Sequence, residues 1–151
     1  MLYNKKLLFV SSNISSTQTG GGVCSLRNLD MCRRILGEEN VELYALKAFS
    51  FTGGTLITKL IFILKALLKL FCGYSNGSTQ KTDKEIVRIA KEGKFDFVFI
   101  DSSLNGHLVK SLNLEATGQV ICFFHNCERS MVIGQRKTGN ILSIIRLYAV
   151  T

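Results

Sequence analysis

Four short apolar runs recur along the chain, at residues 6–11, 41–46, 95–100 and 120–124. The second alternates apolar and polar positions, and the other three are almost continuously apolar. Continuous short runs are typical of strands covered on both faces of a parallel sheet. We therefore expect four strands, three of which are deeply buried.

Helical spacing of apolar positions fills the chain between these runs. Gly37 is expected to end the first helix, and Asp83 is expected to be the N-cap of the third. Strands that alternate with helices predict an α/β domain. Its sheet should be mostly parallel, Rossmann-like and covered by helices on both faces, with residues 1–151 forming one domain. The helical segments are residues 23–36, 55–72, 83–92 and 104–112.

The helix at residues 55–72 is the most hydrophobic segment of the chain. On a helical wheel, Lys59, Lys65 and Lys69 fall within one arc of about 120°, and apolar side chains fill most of the remainder. Three lysines disfavour a membrane-spanning helix. Two interpretations remain open: a helix packed on the sheet with a solvated lysine edge, or a helix that lies on an anionic membrane surface.

The net charge and its distribution favour some classes of binding partner over others. The net charge is +8, and residues 43–82 hold five lysines and no acid. No dense Lys/Arg tract occurs, so nucleic acid is disfavoured, and an anionic ligand or an anionic membrane is favoured. The five cysteines are scattered through apolar stretches, and no secretory signal is visible. Both features favour a cytoplasmic protein with reduced thiols.

Polar or glycine-rich residues follow all four expected strands. In open α/β sheets, ligands bind beyond the carboxyl ends of the strands, so these groups should meet in one crevice. They are the glycines at residues 20–22, Lys47, the Asp101 and Ser102 pair with Ser103, and the His125 and Asn126 pair.

The glycines are the first candidate for ligand binding. Gly21 and Gly22 precede the expected helix, where free N–H groups favour an anion and the absent Cβ allows close approach. The alternative is a turn that needs glycine only for its dihedral angles. A dinucleotide fingerprint is incomplete, because Ser25 stands where a glycine or alanine is required and Lys47 stands where an acid is required. No P-loop motif occurs either.

His125 is the second candidate, because an imidazole at a strand end can bind a sugar hydroxyl or stabilise developing charge. His107 follows Gly106 on a short predicted helix, and we expect it to be a surface residue. Cys122, His125 and Cys127 are weighed as a zinc site, but no fourth ligand has suitable spacing, so we expect no metal.

These residues together resemble a known family. KLLFVSS followed by Thr19, Gly20, Gly21 and Gly22 resembles the opening of family 4 glycosyltransferases of the GT-B fold. FDFVFIDSSLNGHLVK followed by VICFFHNCE resembles a later part of the same N-terminal domain. The resemblance covers residues 5–130 and rests on the order and position of these segments.

The resemblance implies a retaining transfer of a sugar from a nucleotide-sugar donor to a saccharide or lipid-linked cell-envelope acceptor. It implies that Gly21 and Gly22 lie near the donor phosphates and sugar and that His125 contacts the donor sugar. Asp101, Ser102 and Asn126 are expected to line the site because they follow expected strands. Neither a metal nor another cofactor is implied.

A second, nucleotide-binding domain is expected outside this chain, so the chain alone should be inactive. Peripheral attachment at the cytosolic face of a membrane would involve Lys59, Lys65 and Lys69.

Two other classes of function stay open at this stage. The chain could be a non-catalytic Rossmann-like module that binds an anionic ligand or a membrane. A nucleotide-dependent oxidoreductase is the weaker alternative, because the fingerprint is incomplete.

Overall fold

The computed structural model describes residues 4–14, 20–47, 53–72, 74, 78–102, 105–115 and 118–124. Strands and helices alternate along this part of the chain, except that two helices follow one another between the second and third strands. A 3₁₀ turn at Glu38–Asn40 precedes the second strand. In chain order the elements are β1 (Leu7–Ser11), α1 (Gly20–Leu36), β2 (Val41–Ala45), α2 (Leu56–Phe71), α3 (Gln80–Glu92), β3 (Phe97–Ile100), α4 (Gly106–Glu115) and β4 (Gln119–Cys122).

The four strands form one sheet in the order β2-β1-β3-β4, and each neighbouring pair is parallel. The register pairs Leu7 with Val41 on one side and with Phe97 on the other. The expected α/β class, with a parallel Rossmann-like sheet, is therefore confirmed. The expectation that the fourth strand is deeply buried is wrong, because β4 alternates exposed and half-buried residues.

Two cores cover the opposite faces of the sheet because side chains alternate along each strand. Leu7 and Phe9 pack with Leu29, Cys32 and Leu36 of α1. On the other face, the even-numbered residues of β1 and β3 pack with α3 and α4. That second core contains Leu8, Val10, Val98 and Ile100 from the strands, and Ile86, Val87, Ala90, Leu108 and Leu112 from the helices.

Two of the helix starts differ by three residues from the sequence prediction. Helix α1 already begins at Gly20, so the glycines form its first turn and not a loop before it. Helix α3 begins at Gln80, and Thr79 is its N-cap, with its hydroxyl accepting from the backbone N–H of Thr82 at 3.1 Å. The prediction that Asp83 caps α3 is wrong, because Asp83 lies inside the first turn with a buried side chain.

Helix α2 is not part of either core. None of its described side chains is buried. Those that are partly covered include Phe62, Ala66 and Lys69, which share one side of the helix at 100° per residue. Lys59 and Lys65 of the lysine-bearing arc are nevertheless exposed, as is most of the apolar remainder. A helix packed on the sheet through its apolar side does not describe α2.

Within the described residues, no helix is both long enough and apolar enough to cross a membrane.

Candidate functional site

The sheet order creates a switch point between β1 and β3. From β1 the chain leads to β2 on one side of the sheet, and from β2 it crosses to β3 on the other side. Helix α1, in the first connection, covers one face, and α3, in the second, covers the opposite face. In open α/β sheets the ligand crevice forms where the connections diverge in this way, beyond the carboxyl ends of the strands. Ser11 and Asp101 lie at these ends.

A buried polar network occupies the switch point. The Ser11 hydroxyl donates to Oδ2 of Asp101 at 3.0 Å, and the Asn28 amide donates to Oδ1 at 3.0 Å. Asp101 is 0 % exposed, and its backbone N–H donates to the Val10 carbonyl at 2.9 Å. One carboxylate therefore joins β1, β3 and α1 with the hydrogen bonds that a buried charge requires.

The same carboxylate affects Cys32 of α1. Burial raises the pKa of the Cys32 thiol, and the negative charge of Asp101 raises this pKa further. Cys32 is thus held as a neutral thiol and packs in the core as a small apolar group.

The glycines of α1 lie at the amino end of this helix. They have helical backbone angles, and none is among the described glycines with positive φ. The need for a positive φ therefore does not explain why glycine occurs at these positions. Glycine inside a helix also lowers stability by about 1 kcal/mol relative to alanine. Among the described residues, nothing lies within 4 Å of a Cβ placed on Gly20, and on Gly21 the Asn13 amide lies 3.6 Å away. In this part of the chain the described surface leaves room for a ligand to approach the backbone.

This helix end has the electrostatics that an anion requires. A helix leaves its first N–H groups without intrahelical acceptors, and Gly20 and Gly21 supply the first two in α1. No acidic residue stands in the first turn. The Ser25 hydroxyl donates to the Gly21 carbonyl at 2.9 Å and steadies the turn from its buried side. Gly22 is buried beneath it.

Within the described ranges, two polar side chains at the same edge have buried atoms without a hydrogen-bond partner. They are Oγ of Ser12, directly after β1, and both amide atoms of Asn105, directly before α4. Asn105 is 2 % exposed. Buried polar groups are nearly always paired, so these atoms are suited to a ligand hydroxyl or a bridging water.

Sequence reasoning missed Asn28, Ser12 and Asn105. A signal existed for Asn28, because it shares the inner face of α1 with Ser25, Leu29 and Cys32. A polar residue among apolar neighbours at helical spacing indicates a buried partner.

The remaining predicted site residues divide into described and undescribed ones. Asp101 and Ser102 are buried at the expected edge, and Lys47 is exposed after β2. The Asp101 side chain is engaged by Ser11 and Asn28, so direct ligand contact by Asp101 stays a prediction. His125 and Asn126 lie outside the described residues. Phe124, the last residue that the structure describes, is 66 % exposed.

The expected membrane contact is the largest exposed apolar feature among the described helices. Leu56 is 85 % exposed, and Ile57, Leu60, Ile61, Ile63, Leu64 and Leu68 are also exposed. Lys59 and Lys65 are exposed beside this apolar surface, and Lys69 is partly covered.

Of the three residues weighed as zinc ligands, only Cys122 lies within the described residues. Cys122 is a half-buried free thiol, and burial raises its pKa. His125 and Cys127 lie outside the described residues. In the described ranges, no three His, Cys, Asp or Glu side chains are grouped closely enough to hold a metal ion.

Comparison with known proteins gave no match to a family model, to a curated protein or to a solved structure.

Proposed function

We propose that this chain is the N-terminal, acceptor-side domain of a retaining glycosyltransferase that works at the cytosolic face of a membrane. The observation that carries the proposal is the switch point, where the glycine-led start of α1 and the polar ends of β1 and β3 lie at one edge of the sheet. The resemblance of residues 5–130 to family 4 glycosyltransferases gives that edge its chemistry.

In this proposal the donor is a nucleotide-sugar, and the acceptor is a saccharide or a lipid-linked precursor. The open backbone at Gly21, with Gly22 beneath it, receives the donor phosphates and sugar, because helix N–H groups favour negative charge. His125 contacts the donor sugar and stabilises charge as the glycosidic bond breaks. Asp101 and Ser102 shape the edge, and Asn126 lines it. A second Rossmann-like domain outside this chain holds the nucleotide.

The test is sugar transfer by the full gene product from a panel of radiolabelled nucleotide-sugars. We expect transfer by the wild type, and a loss of about 10²-fold in kcat for His125→Ala. Transfer from none of the donors, or unchanged transfer by His125→Ala, would contradict the proposal.

Gly21→Ala is the sharper variant for the glycine turn. A methyl group fits at Gly21 at ordinary contact distance and suits a helix, so the fold should be kept or slightly stabilised. The methyl would occupy the space that the donor needs, so we expect the donor KM to rise about tenfold, which is about 1.4 kcal/mol. Gly22 is less informative because it is buried, and a larger side chain there would also disturb packing. Asp30→Asn, on the exposed side of α1, is the control.

A second candidate function is a non-catalytic module that docks on an anionic membrane. The exposed apolar surface of α2 and its flanking lysines favour it, and neither feature depends on the switch point. Assays of membrane binding and of sugar transfer distinguish the two candidate functions. Membrane binding with no transfer by the full gene product supports the module, and transfer lost in Gly21→Ala while membrane binding is kept supports the enzyme.

A further inference from the structure

Helix α2 belongs to a stretch of chain that leaves the sheet and returns to it at the same edge. Where the stretch leaves, the Leu46 N–H donates to the Ser11 carbonyl at 2.8 Å, at the carboxyl end of β1. Helix α3 follows α2 and runs back to the amino edge, where the Asp96 N–H donates to the Lys6 carbonyl at 2.9 Å. Both ends of the stretch that holds α2 therefore lie at the carboxyl edge, beside the switch point.

A chain of contacts ties the end of α2 to that edge. The Tyr74 N–H donates to the carbonyl of Lys69, in the last turn of α2, at 2.9 Å. The Tyr74 ring stacks on the His107 ring, with centroids 4.9 Å apart and an interplanar angle of 24°. His107 is the second residue of α4, which follows the carboxyl end of β3. Helix α2 is thus tethered close to the polar strand ends, although it is not part of either core.

The two edges of the sheet expose different side chains. At the amino edge, Lys5 pairs with Asp96 at 2.7 Å, and Lys91 of α3 pairs with Glu115 of α4 at 3.2 Å. At the carboxyl edge, Phe124 lies two residues beyond β4 and is 66 % exposed. An exposed aromatic ring is suited to a membrane interface, whereas exposed ion pairs are suited to water.

The partner that suits α2 is an anionic bilayer. Leu60 and Leu64 are 72 % and 59 % exposed, and Lys59 and Lys65 are exposed on the same helix. Residues 43–82 contain no acid that would repel an anionic lipid. A helix of 16 residues is about 24 Å long, so α2 lying in the plane of the interface holds the edge to which it is tethered near the headgroups.

We propose that docking of α2 on an anionic bilayer holds the carboxyl edge of the sheet against the lipid headgroups, so that the switch point takes its ligand from a lipid. The inference rests on the proposed docking of α2, and it narrows the acceptor of the proposed transferase to the lipid-linked class. A sugar or phosphate carried by a lipid lies at headgroup level, beside the glycine-led start of α1. The amino edge, with its ion pairs, then faces water.

Tryptophan reporters test the orientation, because the chain contains no tryptophan. Phe124→Trp and Gln119→Trp place one indole at each end of β4, about 17 Å apart along the strand. Leu64→Trp places a third reporter on α2. The vesicles contain phosphatidylglycerol and a phosphatidylcholine with a nitroxide quencher on its headgroup. We expect quenching of Phe124→Trp and Leu64→Trp, and no quenching of Gln119→Trp beyond that of the vesicle-free protein.

The three reporters separate the orientation from the docking on which it rests. Quenching of Leu64→Trp without quenching of Phe124→Trp would keep the docking and overturn the orientation. Quenching of Gln119→Trp that equals or exceeds that of Phe124→Trp would overturn the orientation as well. Quenching of none of the three would overturn both the docking and the orientation.

The full gene product tests the class of acceptor. It is incubated with radiolabelled nucleotide-sugars, membrane vesicles from the cells that express it and water-soluble oligosaccharides, and the products are partitioned between butanol and water. We expect label in the butanol phase, lost in Leu60→Glu with Leu64→Glu and kept in the control Leu114→Glu. Label in the water phase alone would overturn the lipid-borne acceptor. Label in neither phase would contradict sugar transfer itself, and the quenching result would still decide the orientation.

Discussion

Helices α2 and α3 show that hydrophobic content and burial are separate properties. Helix α3 is polar overall, yet Asp83, Ile86, Val87 and Ala90 recur at helical spacing and are all buried. Helix α2 is mostly Leu, Ile and Phe, yet none of its described side chains is buried. A narrow apolar stripe directs α3 onto the sheet, whereas apolar residues around most of α2 give it no single inner face.

An exposed surface of this kind is suited to contact with a second apolar surface. Large contiguous apolar patches on a folded protein usually mark interaction sites. The lysines at the border of the α2 patch and the net charge of +8 favour an anionic phase. A membrane interface supplies both properties, because an amphipathic helix can lie in its plane.

One apolar truncation on α2 and one on α3 should show the largest difference in effect on stability. Ile86→Ala on α3 removes a side chain that is 0 % exposed and should reduce the free energy of unfolding by about 2–5 kcal/mol. Leu60→Ala on α2, at 72 % exposed, should change it by less than about 0.5 kcal/mol. Urea unfolding followed by circular dichroism measures both. Similar losses for the two variants would mean that α2 is packed.

Loss of the hydrogen bond from Asn28 of α1 to Asp101 should give the next largest effect on stability. Asn28→Ala removes one donor from the buried Asp101 carboxylate and should cost about 1–3 kcal/mol. Asn113→Ala, on an exposed position of α4, is the matched control and should be nearly neutral. A neutral Asn28→Ala would show that Asp101 does not need this partner.

Loss of an N-terminal capping side chain should likewise lower global stability in α3 but not in α2. Thr79→Ala removes the cap of a packed helix and should cost about 1 kcal/mol of global stability. In α2 the Thr55 hydroxyl accepts from the Thr58 N–H at 3.4 Å. Thr55→Ala should therefore fray α2 without shifting the main unfolding transition. Hydrogen exchange at the first turn of each helix distinguishes the two results, and equal global losses would contradict the division.

The smallest effect is a pH dependence at Asp83. Burial raises its pKa above the ordinary value of 3.8, although Ser78 and His107 act in the opposite direction. The folded protein then binds this proton more tightly than the unfolded chain, so stability falls as pH rises from about 4 through the raised pKa.

Asp83→Asn removes the cost of the ionised form. The variant should be more stable than the wild type at pH 7, and this advantage should shrink toward pH 4. Thermal unfolding of both proteins at the two pH values measures the difference. A difference that did not change with pH would show that Asp83 does not titrate as described.

The fold followed from local patterns because β1 and β3 are short buried runs separated by helical spacing. Gly37 also ends α1 as expected, with φ at 94° and its N–H donating to the Arg33 carbonyl at 2.8 Å. Asp83 was mistaken for a cap because Thr79 and Asp83 are both common N-cap residues. The polar first turn of α3 hides where the helix starts.

The site was less predictable because its contacts are distant in sequence. Asn28 and Asp101 are 73 positions apart, and no local pattern pairs them. The exposure of α2 was equally hidden, since a hydrophobic helix in a sequence does not reveal what covers it. Glycine in the first turn of α1 and Asp101 after β3 were visible because strand ends are natural ligand positions.

Co-sedimentation of the chain with vesicles of phosphatidylcholine, alone or mixed with phosphatidylglycerol, tests membrane docking through α2. We expect binding to the anionic vesicles that weakens with salt. Leu60→Glu with Leu64→Glu should abolish it. Lys59→Gln with Lys65→Gln should weaken it by about tenfold or more, since each lysine near the surface contributes about 1 kcal/mol.

Leu114→Glu, at an exposed leucine of α4, is the control and should bind as the wild type does. Sedimentation that is the same with and without vesicles, or that Leu60→Glu with Leu64→Glu leaves unchanged, would contradict membrane docking through α2.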